Sequence, residues 1–215
     1  MFTGIVEEVG RIEEISHGKD SARLTISAKT VLEGTKEGDS IAVNGICLTV
    51  TSLFSEGFTA DVMHETLNRS SLAMLTDKSL VNLERAMPAN GRFGGHIVSG
   101  HVDGVGKIVR IQRDDIAIWY TIETTAEILR YIVEKGSVTV DGISLTVAKV
   151  STGNFCISAI PHTIEKTVLK ERREGSLVNL ETDVIGKYVE KLLNIQAKPQ
   201  KNSTITRDFL EKYGF

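Results

Sequence analysis

The sequence predicts a mainly β protein: two tandem, homologous antiparallel barrels followed by a C-terminal oligomerisation helix. Three observations predict it. The chain repeats itself at an offset near 97 residues, each copy alternates apolar and polar residues between glycine-rich turns, and an unrepeated tail carries an apolar stripe. SIAVNGICLTV (40–50) lies over SVTVDGISLTV (137–147) with seven of eleven positions identical, and SLVNLE (79–84) recurs unchanged at 176–181. Phe58 falls on Phe155, Thr66 on Thr163 and Leu72 on Leu169. Near the start the offset is 96, with TGIVEEVGRI (3–12) over SGHVDGVGKI (99–108). Chance likeness between β-rich segments does not give several blocks at nearly one offset. Two repeats are too few for a solenoid, so they form two similar domains joined near ANGRFGG (89–95).

The elements follow in order. TGIVEEVGRI, ARLTISA, SIAVNGICLTVTSL, GFTADVM and SLVNLER alternate or run β-branched, which marks strands. HVDGVGKIVRI, AIWYTIET, SVTVDGISLTVAKV, NFCISAI and SLVNLET repeat the set. Asn44-Gly45 and Asp141-Gly142 are turn dipeptides. SSLAMLT (70–76) and AEILRYIVEKG (126–136) read as helical. Five or six short strands per half argue for a closed barrel, which leaves no free edge. In the tail, DVIGKYVEKLLNIQA (183–197) aligns Val184, Tyr188 and Leu192 with Ile185, Val189 and Leu193 at helical spacing. Two closed barrels do not need that face, so it is expected to pair with copies of itself. Packing on its own chain is the alternative. Pro199 is expected to end the helix, and ITRDFLEKYGF to add a terminal turn. The domains are therefore placed at 1–96, 97–184 and 185–215.

Composition narrows the function. A net charge of −3 gives no electrostatic reason to bind nucleic acid or an anionic membrane. No apolar run reaches the roughly 20 residues of a membrane helix, and MFTGIVEEVGRIEE lacks the pattern of a signal peptide. Cys47 and Cys156 make no disulfide framework, so a reduced cytoplasmic setting is expected.

Strand parity sorts the candidate chemistry. Cys47 and Thr49 share one face, while Ile46, Leu48 and Val50 share the other; Ser144 and Thr146 stand at the equivalent places. A thiol and hydroxyls on one face suit a binding strand, although an outward barrel face would look alike. His96 and His101, five residues apart, fall on opposite faces of a strand or about 140° apart on a helix. That is poor for a shared metal, and no Cys/His cluster completes one, so no metal site is expected. His101 stands where the first copy has Ile5, and a histidine there is suited to proton transfer near neutral pH; a solvated strand-end histidine is the plainer reading. DVMHET (61–66) lies over SAIPHT (158–163), so His64, Glu65, His162 and Glu165 follow a strand end and read as ligand contacts or as a polar surface loop. No phosphate-binding loop, dinucleotide fingerprint or nucleophile elbow is present.

Together, MFTGIVEEVG, VNGICLTV, GGHIVSGHVDG and VDGISLTV make the chain resemble the riboflavin synthase α-chain family over almost its full length. The resemblance implies two six-stranded Greek-key barrels and a helix that forms a homotrimer. It implies that each barrel binds one 6,7-dimethyl-8-ribityllumazine, and that the enzyme dismutates two of them to riboflavin and 5-amino-6-(ribitylamino)uracil by moving a four-carbon unit, without a cofactor. It places the active site between the N-barrel of one subunit and the C-barrel of its neighbour. Carried over by match, the catalytic candidates are Ser40, Cys47, His101, Ser144, Thr146 and Asp183. Implied substrate contacts are Gly4, Ile5, Val6, Cys47, Leu48, Thr49, Asp61, Val62, Met63, His64, Glu65, Thr66, Gly100, His101, Val102, Lys135, Ser144, Leu145, Thr146, Ile160, Pro161, His162, Thr163, Ile164 and Glu165, with Phe2 as a support beside them. The phrase is written twice because two identical substrates need similar pockets. It differs at Cys47/Ser144 and Ile5/His101 because the two molecules react differently. A lumazine protein of the same fold, which binds without turnover, is the competing reading. Enclosure in a lumazine synthase capsid, known for some family members, stays open.

Overall fold

The computed structural model describes residues 1–196 and 212–213. The end expected at Pro199 and most of the terminal turn lie outside the described residues. Met1–Val184 form one compact unit.

The first half folds as β1 (Glu8–His17), β2 (Ser21–Ser27), β3 (Ser40–Val43), β4 (Ile46–Phe54), β5 (Gly57–Met63), α1 (His64–Arg69) and β6 (Leu80–Arg85). The second repeats it as β7 (Gly104–Asp114), β8 (Ala117–Glu123), the one-turn α2 (Ala126–Leu129), β9 (Ser137–Val140), β10 (Ile143–Ser151), β11 (Asn154–Ala159), α3 (Pro161–Lys166) and β12 (Leu177–Thr182). The strands close antiparallel barrels in the orders β1-β2-β5-β4-β3-β6 and β7-β8-β11-β10-β9-β12. Hairpins and long returns in one ring make each a Greek key. Ile12, Leu24, Ile26, Ile41, Phe58 and Leu83 fill the first barrel; Ile108, Ile122, Val140, Phe155, Ile157 and Leu180 fill the second. Burial alternates along β4 and β10 as parity requires, with Ile46, Leu48 and Val50 inside and Cys47 and Thr49 turned away.

Three elements differ from the sequence reading. Residues 3–7 and 99–103 are not barrel strands; the barrels begin at Glu8 and Gly104, and the segments before them are straps. The helix expected over 126–136 is one turn, because Tyr131–Gly136 turn back to β9 with Lys135 at φ 62°. Residues 70–76 form a 3-10 turn, Ser71–Met74, capped by the Ser70 hydroxyl, which accepts from the Leu72 N–H at 3.3 Å.

The barrels meet about a pseudo-two-fold axis. Gly45 and Gly142 touch backbone to backbone there, at φ 81° and 78°; a Cβ on Gly45 would lie 2.7 Å from Gly142 N. Only glycine allows both that conformation and that approach. Around them a buried amide network is exchanged between the halves. Asn82 Nδ2 donates to Asp141 O, and Asn179 Nδ2 donates to Asn44 O, at 2.8 and 2.9 Å. Asn82 Oδ1 accepts from Val168 N, and Asn179 Oδ1 accepts from Ser71 N. The symmetry breaks at one pair. Asp141 accepts from Arg172 at 2.6 Å, whereas Asn44 Nδ2 finds no partner, because Leu75 stands where Arg172 does. Burial pushes the Asp141 carboxyl up, against the pull of Arg172 and the Asn179 N–H.

Considered by itself, α4 (Val184–Gln196) is the tail helix. It exposes Ile185, Tyr188, Val189, Leu192 and Leu193.

Candidate active site

Each strap crosses to the other barrel. Phe2 and Val98 form an antiparallel bridge, with Phe2 N donating to Val98 O at 2.8 Å. Beyond it the two chains part. Ser144 N of β10 donates to Gly4 O at 2.7 Å, and Cys47 N of β4 donates to Gly100 O at 2.9 Å. Val6 packs against the second core and Val102 against the first. Gly4 and Gly100 hold φ of 75° and 81°, and a Cβ on either would lie within 2.7 Å of the Cβ of Ser144 or Cys47. A side chain at either glycine would push the strap off its strand.

Two buried carboxylates anchor the straps. Glu84 accepts from Thr3 N, Thr3 Oγ1 and Gly4 N at 2.7–3.0 Å; Glu181 accepts from Ser99 N, Ser99 Oγ and Gly100 N over the same range. Burial raises the Glu84 pKa against the opposing pull of those donors. Each glutamate closes SLVNLE, and the signal in the sequence was a charge kept unchanged in a strand that is otherwise buried.

The sequence-named residues thus fall into two equivalent groups. The first gathers Cys47–Thr49 on β4, Gly100–Val102 on the strap, Asp61–Met63 at the end of β5 and His64–Thr66 in α1. Ser40 pairs across from Thr49. The second gathers Ser144–Thr146 on β10, Gly4–Val6 on the other strap, and Ile160 with Pro161–Glu165 of α3, while Lys135 N donates to Val147 O. The segments expected as loops after β5 and β11 are therefore short helices. Leu48, Val62 and Leu145 turn into the cores, so those positions offer a ligand only backbone. Met63 and Ile160 stand exposed at equivalent places. Asp61 is engaged by Arg23 at 2.7 Å, which holds its carboxyl below the usual range. A cavity of about 540 Å³ connects Ser40 with Thr3, Ile5, Glu84 and Arg92.

One further side chain belongs to the second group. His96 Nδ1 lies 2.7 Å from Ser144 Oγ, and His96 N donates to Thr3 O at 3.2 Å. The ring is buried and its Nε2 has no partner. Burial lowers its pKa, opposed by Asp183, so the ring is neutral near pH 7. An orphaned lone pair costs less than an orphaned N–H, which favours the proton on Nδ1. His96 then donates to Ser144 and leaves the serine's own proton free for a ligand. Comparing the copies could not find it, because His96 precedes the second repeat and has no counterpart.

Replacing His96 by leucine is expected to lower turnover about three- to tenfold, the worth of one hydrogen bond, with KM changing less than kcat. The depressed histidine binds its proton more readily when unfolded, so its contribution to stability is present above about pH 6.5 and lost as the pH falls. Wild-type stability should therefore drop more steeply than the variant's below that pH, in thermal melts across pH 5–8. Parallel curves with unchanged kcat would remove His96 from the site.

The comparisons with known proteins agree with this geometry. The family model described as "Lumazine binding domain" matches residues 3–86 and 99–183. A riboflavin synthase of Actinobacillus pleuropneumoniae is 54% identical, and one of Bacillus subtilis (strain 168) 49% identical, each over 100% of both chains. The crystal structure of LumP with 6,7-dimethyl-8-(1'-D-ribityl) lumazine superposes with a TM-score of 0.77 at 26% identity, covering 85% of this chain and 99% of that one. LumP with riboflavin gives 0.78 at 27% over the same shares. With two matched segments coinciding with two barrels, this chain belongs to the lumazine-binding domain family.

Proposed function

We propose that the chain is a riboflavin synthase, converting two molecules of 6,7-dimethyl-8-ribityllumazine to riboflavin and 5-amino-6-(ribitylamino)uracil. The observation that carries this is the pair of equivalent but unlike pockets, Cys47 beside Gly100 and Ser144 beside Gly4, in a chain 54% identical to a riboflavin synthase. Two substrates supply every atom of the two products, so the reaction needs no outside oxidant or reductant. Much of the rate then comes from holding two rings in reactive orientation. The rest comes from removing a 7-methyl proton and stabilising the anion left behind.

The straps and strands present backbone N–H and C=O groups for the edge of a pteridine. His101 and Thr146 assist proton transfer and the nucleophile at the 7-position. Cys47 and Ser40 act on the partner ring, Asp183 acts through its charge on His96, and Lys135 completes the second pocket. The substrate-contacting residues are those of the two groups above, with Phe2 behind them. We assign 1–96 and 97–184 as the two lumazine-binding domains and 185–215 as the oligomerisation tail. The exposed face of α4 supports self-association, and the family resemblance makes the assembly a homotrimer in which one subunit's first barrel faces its neighbour's second. Cys47 and Cys156, both free thiols, suit a cytoplasmic setting.

Incubating the purified chain with the lumazine alone tests the reading. Riboflavin should accumulate to half of the lumazine consumed, with no cofactor added. Tight fluorescent binding with the lumazine unchanged would overturn it in favour of a ligand-holding protein like LumP.

A further inference from the structure

On the side of the Asn82–Asn179 joint formed by the 3-10 turns Ser71–Met74 and Val168–Glu171, a cleft of about 690 Å³ opens between the barrels. Its walls are equivalent stretches, 71–80 from the first half and 168–177 from the second, with Arg11 added from β1. None of the residues assigned to the lumazine pockets lines it.

Were the cleft only a seam, its walls could match, as they do at Ser79/Ser176 and Leu80/Leu177. At three places one wall has a donor side chain where the other has none. Val168 of the second wall is Ser71 in the first, Gly175 is Lys78, and Leu75 of the first is Arg172 in the second. Arg172 is held by Asp141. Ser71 is 5% exposed, and its hydroxyl has no hydrogen-bond partner although valine serves at the equivalent place. Lys78 holds φ 71°, in the left-handed region where Gly175 sits at 92°. Among the described residues neither Lys78 nor Arg11 has an ion pair. A buried unpaired hydroxyl and a lysine in left-handed backbone each cost the fold stability. Such costs collect where a ligand offsets them. Glu171 is the one carboxylate among the lining residues, and with Arg172 neutralised by Asp141 it faces two further cations, Arg11 and Lys78. Leu75, Leu80 and Leu177 supply apolar surface beside them.

We propose that this inter-barrel cleft is an anion site, separate from the lumazine pockets, that takes a small phosphomonoester. The phosphate lies on Lys78 and Arg11 with the Ser71 hydroxyl, and the organic body lies on the leucines. Guanidinium and ammonium donors lining one cleft, with an unpaired hydroxyl in its wall, suit a tetrahedral dianion.

Isothermal titration of the full-length protein tests this, with phenyl phosphate as probe and inorganic phosphate and phenol as its two halves. The expected result is one phenyl phosphate per chain, weaker binding of inorganic phosphate and none of phenol, unchanged when riboflavin saturates the lumazine pockets. Lys78→Gly copies the sister wall and relieves the left-handed lysine. It should fold at least as stably as wild type, form riboflavin at the wild-type rate and weaken phenyl phosphate at least tenfold. Ser71→Val should weaken it by a smaller factor. Absence of binding at millimolar phenyl phosphate would overturn the proposal. So would displacement by riboflavin, or equal binding by Lys78→Gly.

Discussion

Truncating Phe2 to alanine is expected to reduce riboflavin formation about 100-fold or more while leaving both barrels folded. Phe2 is 1% exposed and packs with Val98, Ala42, Cys47 and Ala86 in a small cluster outside the two barrel cores. Removing a buried phenylalanine side chain costs about 3–5 kcal/mol. That loss falls on strap docking rather than on the barrels, and ~3 kcal/mol is already about a hundredfold in the docking equilibrium constant. An undocked strap takes away the Gly4 carbonyl that receives Ser144 N, the Thr3 carbonyl that receives His96 N, and Ile5 and Val6 with them. The strap's partner is loosened too, since Val98 leads directly to Gly100 beside Cys47. One side chain near the N-terminus therefore supports both pockets. Steady-state rates with far-ultraviolet circular dichroism check this. Near wild-type turnover from Phe2→Ala would show that the straps are held by Glu84 and Glu181 alone.

Asn179→Ala is expected to be the most destabilising single change at the barrel joint. It strips partners from two buried backbone groups, Ser71 N and Asn44 O, in one substitution. An orphaned buried polar group costs roughly 1–3 kcal/mol, so the pair costs about 2–6 kcal/mol. For a protein of this size that lowers Tm by roughly 5–20 °C. Asn82→Ala should behave alike, since it orphans Val168 N and Asp141 O. The two losses should not add, because both amides hold one joint. Differential scanning calorimetry measures the effect. A drop of less than about 1 kcal/mol for either change would mean that the amides are exchanged for water at no cost.

The barrels could be read from the sequence because their determinants are local. Alternation on β4 and β10 set which residues turn inward, Asn44-Gly45 and Asp141-Gly142 set the hairpins, and the repeat gave every feature twice. The straps could not. TGIV and SGHV carry strand-like composition, but nothing local says that each leaves its own repeat to lie on the other barrel; that follows from a bridge between residues 96 apart in sequence. Of the helix expected over 126–136 only Ala126–Leu129 forms, and the chain then turns back to β9 with Lys135 at positive φ. Cys47, Ser144, Gly4 and Gly100 were named from the repeat and the family likeness, and the structure supplies their pairing, Cys47 with Gly100 and Ser144 with Gly4. His96 escaped because a residue without a counterpart shows no contrast between copies.

Crossing explains how nearly identical strands build unlike pockets. Each pocket takes its strand from one repeat and its strap from the other, so Cys47 meets the strap bearing His101 and Ser144 meets the strap bearing Ile5. The two differences between the copies are thereby concentrated. One pocket holds a thiol and an exposed histidine. The other holds a hydroxyl, a buried histidine behind it and an aliphatic strap residue. On the proposed function, the same substrate would meet two different sets of proton donors and acceptors, as a dismutation requires.

The most direct test counts and distinguishes the two sites. A fluorine-labelled lumazine whose 7-substituent carries no removable proton binds without reacting, and fluorine nuclear magnetic resonance reads its environments during titration. The account predicts two molecules per chain in two distinct environments, with Ser144→Ala shifting one resonance and Cys47→Ala the other. A single molecule per chain, or two molecules in one environment, would contradict it.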